Sequence, residues 1–366
     1  MTNSAKKQIE VGIIGCGKIS QAYFDSGKNF EQLSIAACAD LDESVAKAKA
    51  EENNCKVLSI TEILNDPDIS LVINLTIPSG HAAVNRDILQ AGKHLYCEKP
   101  LTVDLEDALE VLALAESKKL LVGCAPDTFL SAGQQTSREI IDSGRLGQIK
   151  SGTASMLCAG PESWHPNPGF YYLKGGGPVF DMAPYYLAAL VNFIGPIKSV
   201  SAITVKSGPE RVATCKERYG ENLPVEVNTH ASGTLLFHSG AVITAVFSFD
   251  VVAASHCPIE LYGTKGSIKV PDPNTFSGPV SSFVSGEENW TEHELNRAYA
   301  ENLRGVGVAD MVQAILENRP HRATGTLAFH VLEVMHAFDK SSESGRTIEM
   351  KSRPDRPAAL PASGLD

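Results

Sequence analysis

The hydrophobic residues of the first 125 positions fall into short runs that alternate with amphipathic stretches. The runs are rich in Val, Ile, Leu and Ala, which is typical of strands buried on both faces of a parallel sheet. Strands are predicted at residues 8–14, 33–39, 56–60, 69–75, 94–97 and 120–124, and helices from residue 21, at 43–53, before Asp66-Pro67, at 81–91 and at 105–118. This alternation predicts βαβ units and a doubly wound parallel sheet.

The pattern changes near residue 126, where β-type runs separated by turn residues begin to dominate. Helices are predicted at residues 131–143, 301–317 and 327–340, and strands at 149–158, 200–205, 230–237, 241–251, 258–262 and 267–270. The segment after Ser352 is rich in Pro and Ala and is predicted to be irregular. We therefore predict an α/β domain at residues 1–125 and an α+β domain with a large, mostly antiparallel open sheet at residues 126–366.

Composition narrows the class of protein. The 366 residues, 43% of them hydrophobic, are enough for two packed domains. A formal net charge of −11 argues against nucleic acid or an anionic membrane as a partner. The N-terminal residues lack the apolar core of a signal peptide, and no apolar stretch approaches the roughly 20 residues that span a bilayer. We expect a cytoplasmic protein.

The cysteines and histidines do not predict a metal site. The eight cysteines are dispersed singly, without a CxxC pair, and most lie inside apolar runs. We expect buried, reduced thiols. His230, His238 and His256 lie in or beside predicted strands without the spacing of metal ligands.

A glycine-rich turn follows the first predicted strand directly and opens the first helix. It reads Gly15-Cys16-Gly17-Lys18-Ile19-Ser20. In such a turn Gly15 permits the tight bend, Gly17 lets the backbone approach a pyrophosphate, and Ser20 is the small residue that helix–strand packing needs. The amides at the start of the helix, which include the Lys18–Ile19 segment, would bind the phosphates.

An acidic residue ends the second predicted strand. Asp40 lies 20 residues after Ser20, where a carboxylate hydrogen-bonds the ribose hydroxyls of a dinucleotide. Asp42 lies nearby and position 41 is Leu, so that a 2′-phosphate would meet repulsion and no arginine. The expected cofactor is therefore NAD, which is favoured over NADP.

The fifth predicted strand ends in Glu98-Lys99-Pro100. In open α/β sheets the ligand crevice lies beyond the carboxyl ends of the strands, which places Lys99 at a ligand site. Pro100 biases Lys99 away from the helical region, so that a stiff turn holds its side chain.

These segments, together with later ones, resemble the family of glucose–fructose oxidoreductase, inositol dehydrogenase and rhizopine-catabolism proteins (Gfo/Idh/MocA). The resemblance covers essentially the whole chain and rests on the glycine turn, Asp40, Thr76-x-Pro78-x-x-His81, Ala91-Gly92-Lys93-His94, Glu98-Lys99-Pro100, Gly175-Gly176-Gly177-Pro178-x-x-Asp181-x-x-x-Tyr185, Leu261-Tyr262-Gly263-Thr264 and Arg319-Pro320-His321-Arg322-Ala323. It implies an N-terminal Rossmann domain and NAD(P)-linked oxidation or reduction of sugars, polyols or related alcohols. It also implies a homodimer or homotetramer formed through the C-terminal sheet.

The same resemblance implies a catalytic group. The family pairs the Glu-Lys-Pro lysine, here Lys99, with an Asp and a His four residues apart on a helix of the second domain. Asp181 matches the Asp, whereas Tyr185 stands where His is most usual. A spacing of four places both on one helical face. Because a nearby ammonium stabilises phenolate, Lys99 and Tyr185 are the candidate acid–base pair, and Asp181 would orient a hydroxyl or tune Lys99.

Other residues are assigned to the cofactor and the substrate. By resemblance Thr76, Pro78, His81 and Glu98 belong to the cofactor site, and Asp127 approaches the cofactor, with a helix-capping role as its alternative. Trp164, His165 and Tyr172 lie in a Pro/Gly-rich loop suited to lining a substrate site. His165 is the alternative proton partner of Lys99.

The predicted function is hydride transfer between NAD and a secondary alcohol or ketone of a sugar, sugar derivative or cyclic polyol. Two alternatives remain open. One is an NAD-using glycosidase that oxidises a hydroxyl transiently, eliminates the aglycone and returns the hydride. The other is a non-catalytic NAD-binding regulator.

Overall fold

The computed structural model describes residues 8–365, which form two compact units. The first comprises residues 8–130, 302–329 and 363–365, and the second comprises residues 131–301 and 330–362. The predicted boundary at residue 125 treats each domain as one continuous segment. In the structure, a later segment returns to the first unit, where Cys124 N donates to Ala323 O at 3.0 Å and Gly123 pairs with Thr324 in an antiparallel bridge.

Strands and helices alternate in the first part of the chain and strands predominate in the second part, as the hydrophobic pattern predicts. The α-helices are α1 (Ser20–Asn29), α2 (Glu43–Asn53), α3 (Ile60–Asn65), α4 (Pro78–Gln90), α5 (Leu105–Lys118), α6 (Ala132–Asp142), α7 (Gly177–Ile194), α8 (Val306–Glu317) and α9 (Gly325–Ser344). The strands are β1 (Ile9–Ile14), β2 (Leu33–Ala39), β3 (Lys56–Val57), β4 (Ile69–Asn74), β5 (His94–Cys97), β6 (Val122–Cys124), β7 (Ile149–Leu157), β8 (Ile197–Val205), β9 (Glu210–Val212), β10 (Asn222–Pro224), β11 (His230–Phe237), β12 (Val242–Ser248), β13 (Ile259–Gly263), β14 (Gly266–Val270), β15 (Val280–Val284), β16 (Thr291–His293) and β17 (Ile348–Glu349).

The first unit is built on a six-stranded parallel sheet. Its strand order is β3-β2-β1-β4-β5-β6. Apolar side chains such as Val11, Ile13 and Leu71 are fully buried in it, as expected for strands covered on both faces. The order reverses between β1 and β4, and a ligand crevice is expected beyond the carboxyl ends of the strands at such a point. The predicted doubly wound sheet is confirmed.

The second unit is built on a nine-stranded sheet. Its order is β16-β15-β14-β13-β7-β12-β11-β8-β17. Within this sheet, as described over residues 8–365, β7 and β12 are parallel and the other neighbouring strands are antiparallel. The prediction of a large, mostly antiparallel sheet is therefore confirmed. Helix α7 packs against β7, β11 and β12 on one face of this sheet.

The predicted elements differ from the structure mainly at their ends and at short polar strands. Helix α4 begins at Pro78, before the predicted start, because proline fits the first helical turn. Helix α8 begins only at Val306, because Gly305 has a φ of +103°. Strands β9, β10, β15, β16 and β17 were not predicted, since they are short or rich in polar residues.

Within residues 8–365, no helix is long and apolar enough to cross a membrane, and no three His, Cys, Asp or Glu side chains form a group that could hold a metal ion. The eight cysteines are free thiols.

Asp127 fastens α8 to the rest of the first unit. Its carboxylate Oδ2 accepts hydrogen bonds from Gly305 N at 2.7 Å and Gly307 N at 2.9 Å. Burial raises the pKa of Asp127, and the two amides partly offset this effect. The side chain thus has the helix-capping role that was the alternative to cofactor binding, and the predicted cofactor contact stays a prediction.

We expect Asp127→Ala to lower the free energy of unfolding by about 2–3 kcal/mol, because two buried amides lose their acceptor. Asp127→Asn keeps an acceptor oxygen and should cost less than about 1 kcal/mol. Thermal unfolding followed by circular dichroism measures both variants. Equal losses for the two variants would contradict the capping role.

Candidate active site

The glycine turn after β1 contains two glycines in different environments. Gly15 has a φ of +102°, and a Cβ there would lie 2.6 Å from the carbonyl carbon and oxygen of Leu75. Gly17 is exposed, and a Cβ there would meet nothing within 4 Å. Gly15 is therefore required by the fold itself, whereas Gly17 leaves open space in front of the turn.

Helix α1 begins immediately after this turn. Ser20 is buried, and its Oγ donates to Gly17 O at 2.8 Å. Lys18 and Ile19 are exposed, and no acidic residue lies in the first turn of the helix. An exposed helix N-terminus without acidic side chains suits an anion, so the turn fits a pyrophosphate.

Asp40 ties the glycine turn to the end of β2. Its Oδ2 accepts from Cys16 N at 2.7 Å, and its Oδ1 accepts from Asp42 N at 2.9 Å. Each carboxylate oxygen has a further lone pair that a ribose hydroxyl can use. The adjacent Leu41 side chain is 96% exposed and offers no positive charge.

The turn that carries Lys99 is held from two sides. Glu98 Oε1 accepts from Tyr23 Oη at 2.8 Å, and Glu98 Oε2 accepts from the Lys99 amide at 2.9 Å. Tyr23, on α1, is buried, and burial followed by the charge of Glu98 raises its pKa well above the ordinary value. The phenol is therefore the donor. Lys99 itself is half-buried.

His81 lies beneath this turn. Its ring is fully buried, with Nδ1 2.6 Å from Pro100 O and Nε2 2.9 Å from Thr76 O. Burial lowers the pKa of His81, but the side chain of Cys97 and the two carbonyls outweigh it and raise the value to about 9. We predicted that His81 lines the cofactor site; the structure shows that both of its ring nitrogens bind the main chain.

Two asparagines complete the polar layer under the carboxyl ends of β4 and β5. Asn74 Oδ1 accepts from Thr76 Oγ1 at 2.7 Å, and Asn74 Nδ2 donates to Asn85 Oδ1 at 2.8 Å. Asn85 Nδ2 donates to Leu101 O at 2.9 Å. Our sequence interpretation missed Tyr23, Asn74 and Asn85. The available signal was the amide side chain that ends the apolar run of β4.

In the second unit, Asp181 and Tyr185 lie on α7, as predicted. Both are half-buried and stand one helical turn apart. The neighbouring Tyr186 is buried, with its Oη 3.5 Å from Asp272 Oδ1, and burial raises its pKa above the ordinary value. Tyr186 is thus the core aromatic of this pair, and Tyr185 is on the more exposed side of the helix.

The predicted substrate loop precedes α7 and exposes an aromatic cluster. Trp164 is 61% exposed. His165 and Tyr171 lie with ring centres 5.1 Å apart, and Phe170 stacks on Tyr171 at 4.1 Å. Tyr172, which we predicted to contact substrate, is instead fully buried, and its hydroxyl donates to Glu162.

A partly buried ion cluster anchors this loop to the sheet of the second unit. Arg211 donates to Glu162 Oε1 at 2.7 Å and also pairs with Asp250. Asp250 Oδ2 accepts from Thr229 Oγ1 at 2.7 Å. The sequence offered no signal for this cluster, because its members come from distant segments.

Among curated relatives, the chain is 28% identical to 1,5-anhydro-D-fructose reductase of Ensifer adhaerens over 350 residues, which is 93% of this chain and 98% of the relative. It is 26% identical to inositol 2-dehydrogenase of Rhizobium meliloti over 288 residues, 79% of this chain and 82% of the relative. An uncharacterised oxidoreductase of Schizosaccharomyces pombe is 32% identical over 178 residues, 47% of each chain.

Solved structures share the fold. Levoglucosan dehydrogenase in complex with NADH superposes with a TM-score of 0.82 at 19% identity, over 94% of this chain and 100% of that one. An NAD-binding oxidoreductase from Klebsiella pneumoniae gives a TM-score of 0.81 at 20% identity, over 93% and 98%.

Two family models match successive parts of the chain. Residues 9–125 match the oxidoreductase family model with an NAD-binding Rossmann fold, and residues 134–269 match the GFO/IDH/MocA C-terminal domain. Together they cover most of the chain and confirm the resemblance and the NAD-binding domain that the motifs predict. The protein belongs to the Gfo/Idh/MocA family of oxidoreductases.

Proposed function

We propose that the protein transfers a hydride between NAD and a secondary alcohol or ketone of a sugar, sugar derivative or cyclic polyol. The observation that carries the proposal is the position of Lys99. It follows β5 at the carboxyl edge of an NAD-binding sheet, in a turn held by Tyr23 and His81. Relatives named 1,5-anhydro-D-fructose reductase and inositol 2-dehydrogenase support a carbohydrate-like substrate.

The glycine turn and Asp40 form the proposed cofactor-binding site. The open space at Gly17 and the exposed start of α1 fit the pyrophosphate, and the remaining lone pairs of Asp40 fit the ribose hydroxyls. Lys18 and Ile19 lie in the same turn, and Thr76 and Pro78 follow the neighbouring strand. When bound, NAD(H) accepts or supplies the hydride.

Lys99 is the proposed acid–base group for the substrate hydroxyl. As an amine, Nζ takes the hydroxyl proton during oxidation, and as an ammonium it returns a proton during reduction. We assign Asp181 the orientation of a substrate hydroxyl and Tyr185 the sharing of the proton. His165 is the competing candidate for that second role.

An NADH-production screen across aldoses, glycosides, inositols and sugar acids tests the function, with wild type and Lys99→Ala run in parallel. NADH formation by the wild-type protein but not by Lys99→Ala supports the proposal. Glycoside cleavage without net NADH would point to the transient-oxidation glycosidase. NAD binding without turnover of any substrate class would point to a regulator.

The two glycines of the turn give a matched pair. Gly17→Ala should leave the melting temperature within about 2 °C of wild type, because the new methyl meets no protein atom. It should weaken NAD binding at least about tenfold, since the methyl occupies space proposed for the pyrophosphate. Gly15→Ala should destabilise the fold, because its Cβ meets the Leu75 backbone. Thermal melts and NADH fluorescence titration measure these effects. Unchanged NAD affinity in Gly17→Ala would refute the proposed pyrophosphate site at this turn.

Lys99→Met removes the titrating group and retains much of the side-chain length. We expect kcat to fall by roughly 10²–10⁴, the range for a lost general acid–base, with NAD affinity changed only a few-fold. Lys47→Met, at an exposed lysine of α2, is the control. A Lys99→Met enzyme within tenfold of wild type would remove Lys99 from the mechanism, and a collapse of NAD binding would make it a cofactor residue.

Tyr185→Phe and His165→Asn distinguish the two proton partners. If Tyr185 shares the proton, Tyr185→Phe lowers kcat at least about tenfold with little change in stability, because one hydroxyl is lost, and His165→Asn has a small effect. The reverse pattern assigns the role to His165. Steady-state kinetics and thermal melts of both variants, with Tyr219→Phe at an exposed tyrosine as control, decide between them.

A further inference from the structure

The hydrogen-bond geometry of His81 specifies its protonation state. Both ring nitrogens lie at hydrogen-bond distance from main-chain carbonyl oxygens, 2.6 Å to Pro100 and 2.9 Å to Thr76. Carbonyl oxygens only accept, and a neutral imidazole has one N–H. The pair of contacts is therefore satisfied only when the ring has two N–H groups and a positive charge.

The groups around the ring are compatible with that charge. Cys97 of β5 contacts the ring, Cys124 of β6 contacts Cys97, and the uncharged amide of Asn85 lies on the same helix as His81. Burial raises the pKa of Cys97, but the contact with Cys124 and the charge of His81 lower it to about 6. Cys97 is thus an acidic neighbour for a buried cation. Glu98 and Lys99 are the charged groups of the adjoining turn.

The same structure contains a contrasting buried histidine. His330, in the second unit, accepts a hydrogen bond at Nε2 from Ile197 N at 3.0 Å, and its Nδ1 lies 2.7 Å from Ser352 Oγ. A nitrogen that accepts from an amide carries no proton. Burial lowers the pKa of His330 to about 4, so this ring is neutral at ordinary pH.

We propose that His81 is a positioning residue, held as an imidazolium whose two N–H groups fasten the residues after β4 to the turn that presents Lys99. The contact to Pro100 O fixes the residue next to Lys99, and the contact to Thr76 O fixes the neighbouring loop. Because Cys97, with its lowered pKa, balances the charge of the ring, the contribution of His81 to the site is geometric: it holds the Lys99 turn in place. The protonation state of His81 stands independently of the proposed function, and its consequence for catalysis rests on the proposed role of Lys99.

The protonation state is measured on the wild-type protein by NMR with ¹⁵N-labelled histidine, the His81 signals being assigned by their loss in His81→Asn. We expect both His81 ring nitrogens to be protonated at pH 7.5 and to titrate above about pH 8. His330 should show a neutral ring in the same spectra and serves as an internal reference. An unprotonated His81 nitrogen at pH 7.5 would overturn the inference.

The effect on Lys99 is measured by steady-state kinetics, which separate kcat from KM, and by NADH fluorescence titration. His81→Asn and His81→Gln each remove the charge, while their amides can retain a donor toward Pro100 O and Thr76 O respectively. Both should lower kcat at least about tenfold and leave the affinity for NAD within a few-fold, because the Lys99 turn loses one of its two fixed contacts and the glycine turn loses none.

A purely structural role for His81 would lower stability, NAD affinity and kcat together, and that result would overturn the second half of the proposal. His330→Asn is the matched control, because it removes a buried but neutral histidine. If the His81 variants do not fold, substitution of the other nine histidines one at a time assigns the His81 signals by elimination, and the wild-type spectra still decide the protonation state. A protein with an imidazolium at His81 and no dehydrogenase activity would refute the proposed function alone.

Discussion

The first unit depends on satisfying the buried carbonyl groups where the chain leaves β4 and β5. The carbonyl oxygens of Pro100 and Leu101 are buried where water does not serve as their donor, and that of Thr76 is partly buried beside them. Helix α4 supplies the donors, through the ring of His81 and the amide of Asn85. An unpaired buried carbonyl costs roughly 1–3 kcal/mol, so this layer fixes the path of both loops. The position of Lys99 follows from it.

A second constraint is close backbone approach at the glycine turn. Directly after β1, the main chain passes so near Leu75 that residue 15 has no room for a Cβ. The result is a turn whose next glycine faces open space and whose amide at Cys16 is held by Asp40. One carboxylate therefore shapes the turn and keeps lone pairs available for a ligand.

In the second unit, ion pairs hold the loop that precedes α7. The loop before α7 exposes aromatic rings to solvent and would be costly to hold in one conformation by contacts at its tip alone. Arg211 forms ion pairs with Glu162 within that loop and with Asp250, which follows β12. The hydroxyl of Tyr172 donates a hydrogen bond to the carboxylate of Glu162. Because these partly buried contacts join the loop to the sheet, we expect the anchored part of the loop to be rigid.

The order of apolar runs by itself determined the parallel sheet, the mostly antiparallel sheet and the two-part organisation, because the pattern of burial is local along each strand. The glycine turn, Asp40 and Glu98-Lys99-Pro100 were identified for the same reason, since their geometry is encoded by adjacent residues. The pairing of β17 with β8 and the return of the segment at Ala323 and Thr324 to the first unit were decided by tertiary structure, as their partners lie far away in sequence. So were the hydrogen-bond partners of His81, Asp127 and Tyr172. A residue type states which hydrogen bonds a side chain can make, but only the fold determines which backbone groups are buried within its reach.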